Sequence, residues 1–256
     1  ALGKAEKGLQ WSVNKLAEKG FLKEVPDKIL NRLSYETDLS CAADADWIIE
    51  AVLEVEALKI DLFKALEGKI PATTPLATNT SSIPITRIAG HLNRPERMLG
   101  LHFFGPVPFM GLVEVVKGEQ TADNVFEAGV DFITSLGKTP VRVNRDIPGF
   151  VMNRIFSAAF REAVDLVSDG IVSPEDVDAG MRLGYGWNVG PFEVADNAGL
   201  DTFALVGQSM AELGEEHLVT KSDLLLKMIA QGRLGKKAGK GFYRYTKDGK
   251  RIPYGE

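Results

Sequence analysis

The chain has 256 residues, of which 45% are hydrophobic and 25% charged, as is usual for a globular protein. Its formal net charge of −5 argues against nucleic acid or an anionic membrane surface as the main partner. Its one cysteine, Cys41, cannot form an internal disulfide and has no ligand partners at metal-binding spacing, so we expect neither a disulfide nor a metal. No apolar run approaches the ~20 residues that a membrane helix needs, so we expect a cytoplasmic protein without a membrane partner.

Residues 1–146 alternate between helical and extended patterns. Apolar residues at helical spacing predict helices near 9–20, 58–68, 83–91 and 124–136. Apolar runs typical of buried strands alternate with them, at 47–52, 76–78, 98–104, 112–116 and 140–143. Strands that alternate with helices predict an α/β domain with a largely parallel sheet.

The strand pattern stops after Pro148 and Gly149. Apolar residues recur at helical spacing from Phe150 to Val167, and Ser173 followed by Pro174 is typical of a capped helix start. Further helical patterns cover 202–213 and 224–231. The sequence therefore predicts two domains, an α/β domain at 1–146 and an all-helical domain at 147–256.

A glycine-rich phosphate loop is missing from the α/β half. Dinucleotide-binding domains of this class carry strand–GxGxxG–helix, because the glycines let backbone amides reach the pyrophosphate. The nearest string runs from Gly184 to Gly190, where the last glycine comes one position too late and no strand precedes it. If the function depends on a nicotinamide cofactor, we expect the first βαβ piece to precede residue 1.

Two ionisable side chains interrupt apolar strand patterns, His102 in LGLHFFGPVPF and Glu114 in LVEVV. A charge in such a strand is costly unless it is paired. The turn at 105–108 could bring Glu114 to His102, which would make a histidine–carboxylate dyad able to accept a proton. A core histidine with satisfied hydrogen bonds is the alternative, and the residues alone leave it open.

Ser81 and Asn153 are two further polar candidates. Ser81 follows a short strand in ATNTSS, where a hydroxyl can face a ligand at the carboxyl end of the sheet or cap the next helix. Asn153 stands on an apolar helix after Gly149, where it can cap the helix end or hydrogen-bond a reacting carbonyl oxygen.

A series of motifs over essentially the whole chain resembles the short-chain L-3-hydroxyacyl-CoA dehydrogenase family, which includes 3-hydroxybutyryl-CoA dehydrogenases. The motifs are, in order, NTSS, HFFGPVPFMGLVEVV, LGKTPV, PGFVMNR, GPFE, GLD and GKKAGKGFY. The resemblance implies a Rossmann-type doubly wound sheet that binds NAD, here without its N-terminal βαβ piece, and a helical C-terminal domain that forms a homodimer. It also implies reversible oxidation of a 3-hydroxyacyl-CoA to a 3-ketoacyl-CoA, a reaction of fatty-acid or butanoate metabolism.

The resemblance also implies roles for the polar candidates. His102 matches the general base for the hydroxyl proton and Glu114 the carboxylate that orients it. Ser81 and Asn153 match polar groups around the reacting oxygen, and Ser81 also adjoins the cofactor.

Other charged residues match cofactor or coenzyme A contacts in the family. Glu54 and Lys59 match residues near the nicotinamide end of NAD, and Lys237 matches another cofactor contact. Without the resemblance, we would interpret the first two as solvated helix charges and Lys237 as an exposed turn lysine. Ser12 and Lys19 match residues that bind coenzyme A. They lie roughly two helical turns apart, so both can project from one face of a helix.

Two departures from the family pattern leave alternatives open. The family's Asn after HFF is Gly105 here, and the lost hydrogen bond near the nicotinamide would weaken binding by ~1 kcal/mol. Together with the missing glycine loop, this leaves open a non-catalytic acyl-CoA-binding or structural relative. A dehydrogenase of a free hydroxy acid is a third hypothesis, which Ser12 and Lys19 argue against.

Overall fold

The computed structural model describes residues 2–252. Contacts divide the chain after Asp146 into two compact units. Among the described residues, no helix combines the length and apolar character required to cross a bilayer.

The N-terminal unit contains a five-stranded sheet whose strand order follows the chain. The strands are β1 Ile48–Glu50, β2 Leu76–Thr78, β3 Met98–Phe103, β4 Leu112–Val116 and β5 Thr139–Val143. β1, β2 and β3 are parallel, β4 is antiparallel to β3, and β5 is parallel to β4. The helices are α1 Leu2–Glu18, α2 Pro26–Leu30, α3 Glu56–Glu67, α4 Ile85–Ala89 and α5 Asp123–Ser135.

Helices cover both faces of this sheet, and two glycines show how closely they pack. Gly100 in β3 lies under α4, where a Cβ atom would stand 2.7 Å from Cδ1 of Ile85. Leu99, the preceding strand residue, faces the other side and packs against Gly129 of α5. Because α4 and α5 cover opposite faces, the apolar strand runs are buried on both sides, and the predicted Rossmann-type α/β fold is confirmed.

The C-terminal unit is built mainly from helices around an aromatic core that includes Phe160, Phe192 and Tyr243. Its helices are α6 Met152–Ser168, α7 Pro174–Tyr185, α8 Pro191–Ala198, α9 Leu200–Glu212 and α10 Leu224–Ala230. Ser173 caps α7 by accepting a hydrogen bond from the amide of Asp176.

The prediction that this unit is all-helical is wrong at its end. Two short antiparallel strands, β6 Arg244–Tyr245 and β7 Arg251–Ile252, form a ribbon. The buried carboxylate of Asp196 accepts hydrogen bonds from the amides of Phe242 and Tyr243, which fixes the bend at 241–243 just before β6. A turn that contains Gly249 at a φ of 79° then reverses it.

Gly129→Ala is expected to lower the free energy of unfolding by about 1–3 kcal/mol, because the new methyl group would overlap the buried Leu99 side chain. The matched control is Gly8→Ala in α1, where a Cβ atom meets nothing within 4 Å. There the change should stabilise by about 0.5–1 kcal/mol through helix propensity. Urea unfolding of both variants is the measurement, and equal effects at the two positions would contradict the packing described.

Candidate active site

His102 and Glu114 lie directly opposite each other on the antiparallel strands β3 and β4. His102 Nδ1 is 2.7 Å from Glu114 Oε2, and the two residues are 5% and 0% exposed. Opposed residues of such a pair point to the same face of the sheet, so the register alone brings the two side chains together.

The hydrogen bond assigns different tasks to the two ring nitrogens of His102. An ionised carboxylate only accepts hydrogen bonds, so the Nδ1 atom beside Glu114 carries the proton. In a neutral ring, Nε2 then holds the lone pair that can take a proton. If the ring becomes charged, the buried Glu114 carboxylate stabilises the imidazolium. The geometry is that of a general base with an orienting acid.

Asn79 joins the strand ends that surround this pair, a role that the sequence analysis missed. Its amide donates to the Glu50 carbonyl at 2.8 Å, and its Oδ1 accepts from the amide of Phe103 at 2.8 Å. These contacts link the carboxyl ends of β1, β2 and β3, the edge at which open α/β sheets bind ligands. A polar residue directly after the buried strand Leu76–Thr78 was the available signal.

Ser81 lies in the loop that follows β2, and Glu54 holds this loop. Glu54 Oε1 accepts from the amide of Ser81 at 2.9 Å, from the amide of Ser82 at 3.2 Å and from the hydroxyl of Thr80. The alternative that Ser81 caps the next helix is wrong, because α4 begins at Ile85 with no side-chain cap. The structure therefore brings Ser81 and Glu54 together at the carboxyl end of β2.

Glu54 stays ionised in this setting. Burial raises the pKa of its carboxyl, but the hydrogen bonds from Thr80 and Ser81 and the positive charge of Lys59 outweigh that effect and lower the pKa overall. Its side chain is 39% exposed. Glu54 thus presents a charged hydrogen-bond acceptor to the solvent side of the loop.

Lys59, in α3, is buried. Its ammonium lies 2.8 Å from Glu50 Oε1 and 3.2 Å from Glu54 Oε2, and the side chain is 1% exposed. The interpretation of Lys59 as a solvated helix charge is therefore wrong, and so is that of Glu54, which precedes α3 and is tied to the loop after β2. Helical spacing alone gave no sign of the strand and loop that these two residues meet.

Ser12 and Lys19 belong to α1 and its end. Ser12 is half-buried within the helix, and Lys19 follows the last helical residue. The amide of Lys19 still donates to the Lys15 carbonyl at 3.2 Å, so the helical path extends to it. The Lys19 ammonium lies 4.5 Å from the ring centroid of Phe109, a residue of the segment that joins β3 to β4.

Asn153 and Lys237 lie in the C-terminal unit. Asn153 is the second residue of α6, whose capping position is occupied by Val151, so the helix-cap alternative for Asn153 is wrong. Lys237 forms an ion pair with Asp201, with an N–O distance of 2.6 Å, and both side chains are partly exposed.

Comparisons with known proteins agree with the geometry of the chain. Residues 1–147 match the family model for the 3-hydroxyacyl-CoA dehydrogenase NAD binding domain, and residues 149–245 match that for the 3-hydroxyacyl-CoA dehydrogenase C-terminal domain. A probable 3-hydroxybutyryl-CoA dehydrogenase of Deinococcus radiodurans is 42% identical over 238 residues, which cover 93% of this chain and 85% of that one.

Two further relatives extend the match. The human mitochondrial hydroxyacyl-coenzyme A dehydrogenase is 41% identical over 252 residues, covering 95% of this chain and 80% of that protein. The crystal structure of (S)-3-hydroxybutyryl-CoA dehydrogenase from Ralstonia eutropha superposes with a TM-score of 0.88 at 36% identity, covering 96% of this chain and 87% of that one. The chain therefore belongs to the 3-hydroxyacyl-CoA dehydrogenase family.

Proposed function

We propose that this protein oxidises a 3-hydroxyacyl-CoA to a 3-ketoacyl-CoA with NAD, in the reversible reaction of its family. The observation that carries the proposal is the buried pair of His102 and Glu114 at the ligand-binding edge of the sheet. The matches to the NAD binding and C-terminal domain models over nearly the whole chain support it.

In the proposed mechanism, His102 Nε2 takes the proton of the substrate hydroxyl while Glu114 stabilises the imidazolium that forms. The neighbouring carboxylate also keeps the ring in the tautomer that can accept this proton. Ser81 and Asn153 are the proposed hydrogen-bond partners of the reacting oxygen. NAD, when bound, supplies the acceptor for the hydride that leaves C3.

The residues present fit the nicotinamide end of such a cofactor. Glu54 offers a partly exposed carboxylate at the carboxyl ends of parallel strands, where an amide or a ribose hydroxyl can donate to it. Lys237 is a further proposed cofactor contact. Ser12 and Lys19 are the proposed contacts of coenzyme A, whose phosphates suit an exposed ammonium.

His102→Ala is expected to reduce kcat by about 10²–10⁴-fold with little change in the KM of the acyl-CoA, because the general base is lost and the binding surface is not. Glu114→Gln, which keeps the shape of the side chain, should reduce kcat in the same direction. His91→Ala is the matched control, since His91 is exposed and lies in the turn that follows α4.

The measurement is NADH absorbance with acetoacetyl-CoA as substrate. Near-normal turnover of His102→Ala would reject the role of His102. No turnover by wild-type protein of confirmed full length would favour the non-catalytic acyl-CoA-binding alternative, and equal turnover of free 3-hydroxybutyrate would favour a dehydrogenase of free acids.

Gly105→Asn is expected to lower the KM for NAD by about fivefold, because one hydrogen bond of ~1 kcal/mol is restored. A Cβ atom at Gly105 meets nothing within 4 Å, so a side chain can leave the backbone there without a clash at its Cβ. Gly111→Asn, in the same β3–β4 segment and equally open, is the control and should leave the KM unchanged. Equal KM values for the two variants would contradict the assignment of position 105.

We also propose that the protein is a homodimer assembled through its C-terminal unit. A cavity of about 580 Å³ opens there among α6, α9 and α10, with Phe203, Leu218 and Leu225 in its lining. Leu205 and Leu226, which also line it, are 66% and 63% exposed. Large exposed apolar side chains around one concave surface are typical of a subunit interface.

The exposed free thiol of Cys41 suits the reducing cytoplasm, where we propose that the protein resides.

A Leu205→Glu, Leu226→Glu variant is expected to be monomeric, because two buried carboxylates without partners would oppose association. Sedimentation velocity gives the mass of the wild-type protein and of the variant. Leu183→Glu is the control, since Leu183 is also highly exposed but does not line the cavity. A monomeric wild-type protein, or a dimeric double variant, would contradict the proposed interface.

A further inference from the structure

Glu50 is a buried charge that the proposed mechanism does not use. It ends β1 and is 3% exposed. Its Oε1 lies 2.8 Å from the Lys59 ammonium and accepts from the amide of Val52 at 2.6 Å, and its Oε2 accepts from the hydroxyl of Thr78 at 2.7 Å. Burying a carboxylate away from water is costly unless partners compensate for the lost hydration. The partners of Glu50 hold its carboxylate in place, and this carboxylate in turn fixes Lys59 at the end of the strand.

Lys59 bridges this fixed carboxylate to a second one. Its ammonium also contacts Glu54 Oε2 at 3.2 Å, and Glu54 belongs to the segment between β1 and α3. The Lys59 side chain is 1% exposed, so these two carboxylates, rather than water, stabilise its charge. Lys59 therefore acts on its surroundings through Glu54.

The other oxygen of Glu54 holds the loop after β2, through the amides of Ser81 and Ser82 and the hydroxyl of Thr80. A continuous set of ionic and hydrogen-bonded contacts thus runs from Glu50 to the loop. It connects β1, α3 and residues 80–82 at one edge of the sheet.

We infer that Glu50 and Lys59 are positioning residues, whose buried pair fixes the Glu54 carboxylate against the 80–82 loop in one orientation toward a bound nicotinamide cofactor. The inference rests on the proposed function, and it gives Lys59 a positioning role through Glu54, whose carboxylate is the partly exposed member of the set.

The test is the double variant Glu50→Gln, Lys59→Met, which removes both charges together and so leaves neither buried alone. We expect the Kd of NADH and the KM of NAD to rise about tenfold, because a hydrogen-bonded charge no longer holds Glu54. The KM of the acyl-CoA should stay within about twofold, since coenzyme A is bound elsewhere. Fluorescence titration gives the Kd of NADH independently of turnover.

Amide exchange provides a readout that needs no cofactor. The Ser81 and Ser82 amides, which donate to Glu54, should exchange faster in the double variant, as measured by NMR without NAD. If the double variant does not fold, Glu50→Gln alone should shift the same quantities in the same direction by a smaller factor.

Arg97→Met is the matched control. Arg97 is also buried and lies 3.6 Å from Glu67, but it precedes β3 and so stands at the opposite edge of the sheet. It should lower the melting temperature without changing the Kd of NADH. Wild-type Kd and wild-type exchange at Ser81 in a folded double variant would overturn the inference. If wild-type protein of confirmed full length binds no NADH, the proposed function fails, while the exchange rates still decide the positioning role.

Discussion

The pairing of buried charge is the constraint on which this structure depends. His102 and Glu114 both interrupt strands whose other residues are apolar, and each would be costly there alone. The antiparallel register of β3 and β4 sets them opposite each other, so one backbone arrangement satisfies both. The same arrangement assigns the proton of His102 to Nδ1 and leaves Nε2 for chemistry. The same strand register therefore satisfies the two buried charges and prepares His102 to accept a proton.

The same principle organises the neighbouring strand ends. Glu50 and Lys59 are as deeply buried as the histidine pair, and their charges are satisfied in the same way. Asn79 adds neutral hydrogen bonds between β1 and β3. The candidate site is therefore supported by strands and a helix rather than by its loops alone, which is the arrangement that keeps reacting groups in place.

The sequence predicted much of this arrangement, because apolar runs report burial directly. The predicted strands at 76–78 and 112–116 have the observed bounds, and the turn after His102 suggested its contact with Glu114. The burial of Lys59 could not be predicted, since helical spacing does not say which distant strand a charge will meet. The ribbon of β6 and β7 was missed because its strands are too short to produce an alternating pattern.

The reversal of β4 has a consequence for the electric field around the site. β4 and β5 end at the opposite edge from β1, β2 and β3, so α5, which follows β4, begins at that far edge. The positive end of its macrodipole therefore points away from the pair of ionisable residues, and α3 is the long helix that begins on the near side. On this side an anionic ligand meets the positive end of α3 but not that of α5, so cationic side chains and hydrogen-bond donors must supply the rest of its attraction.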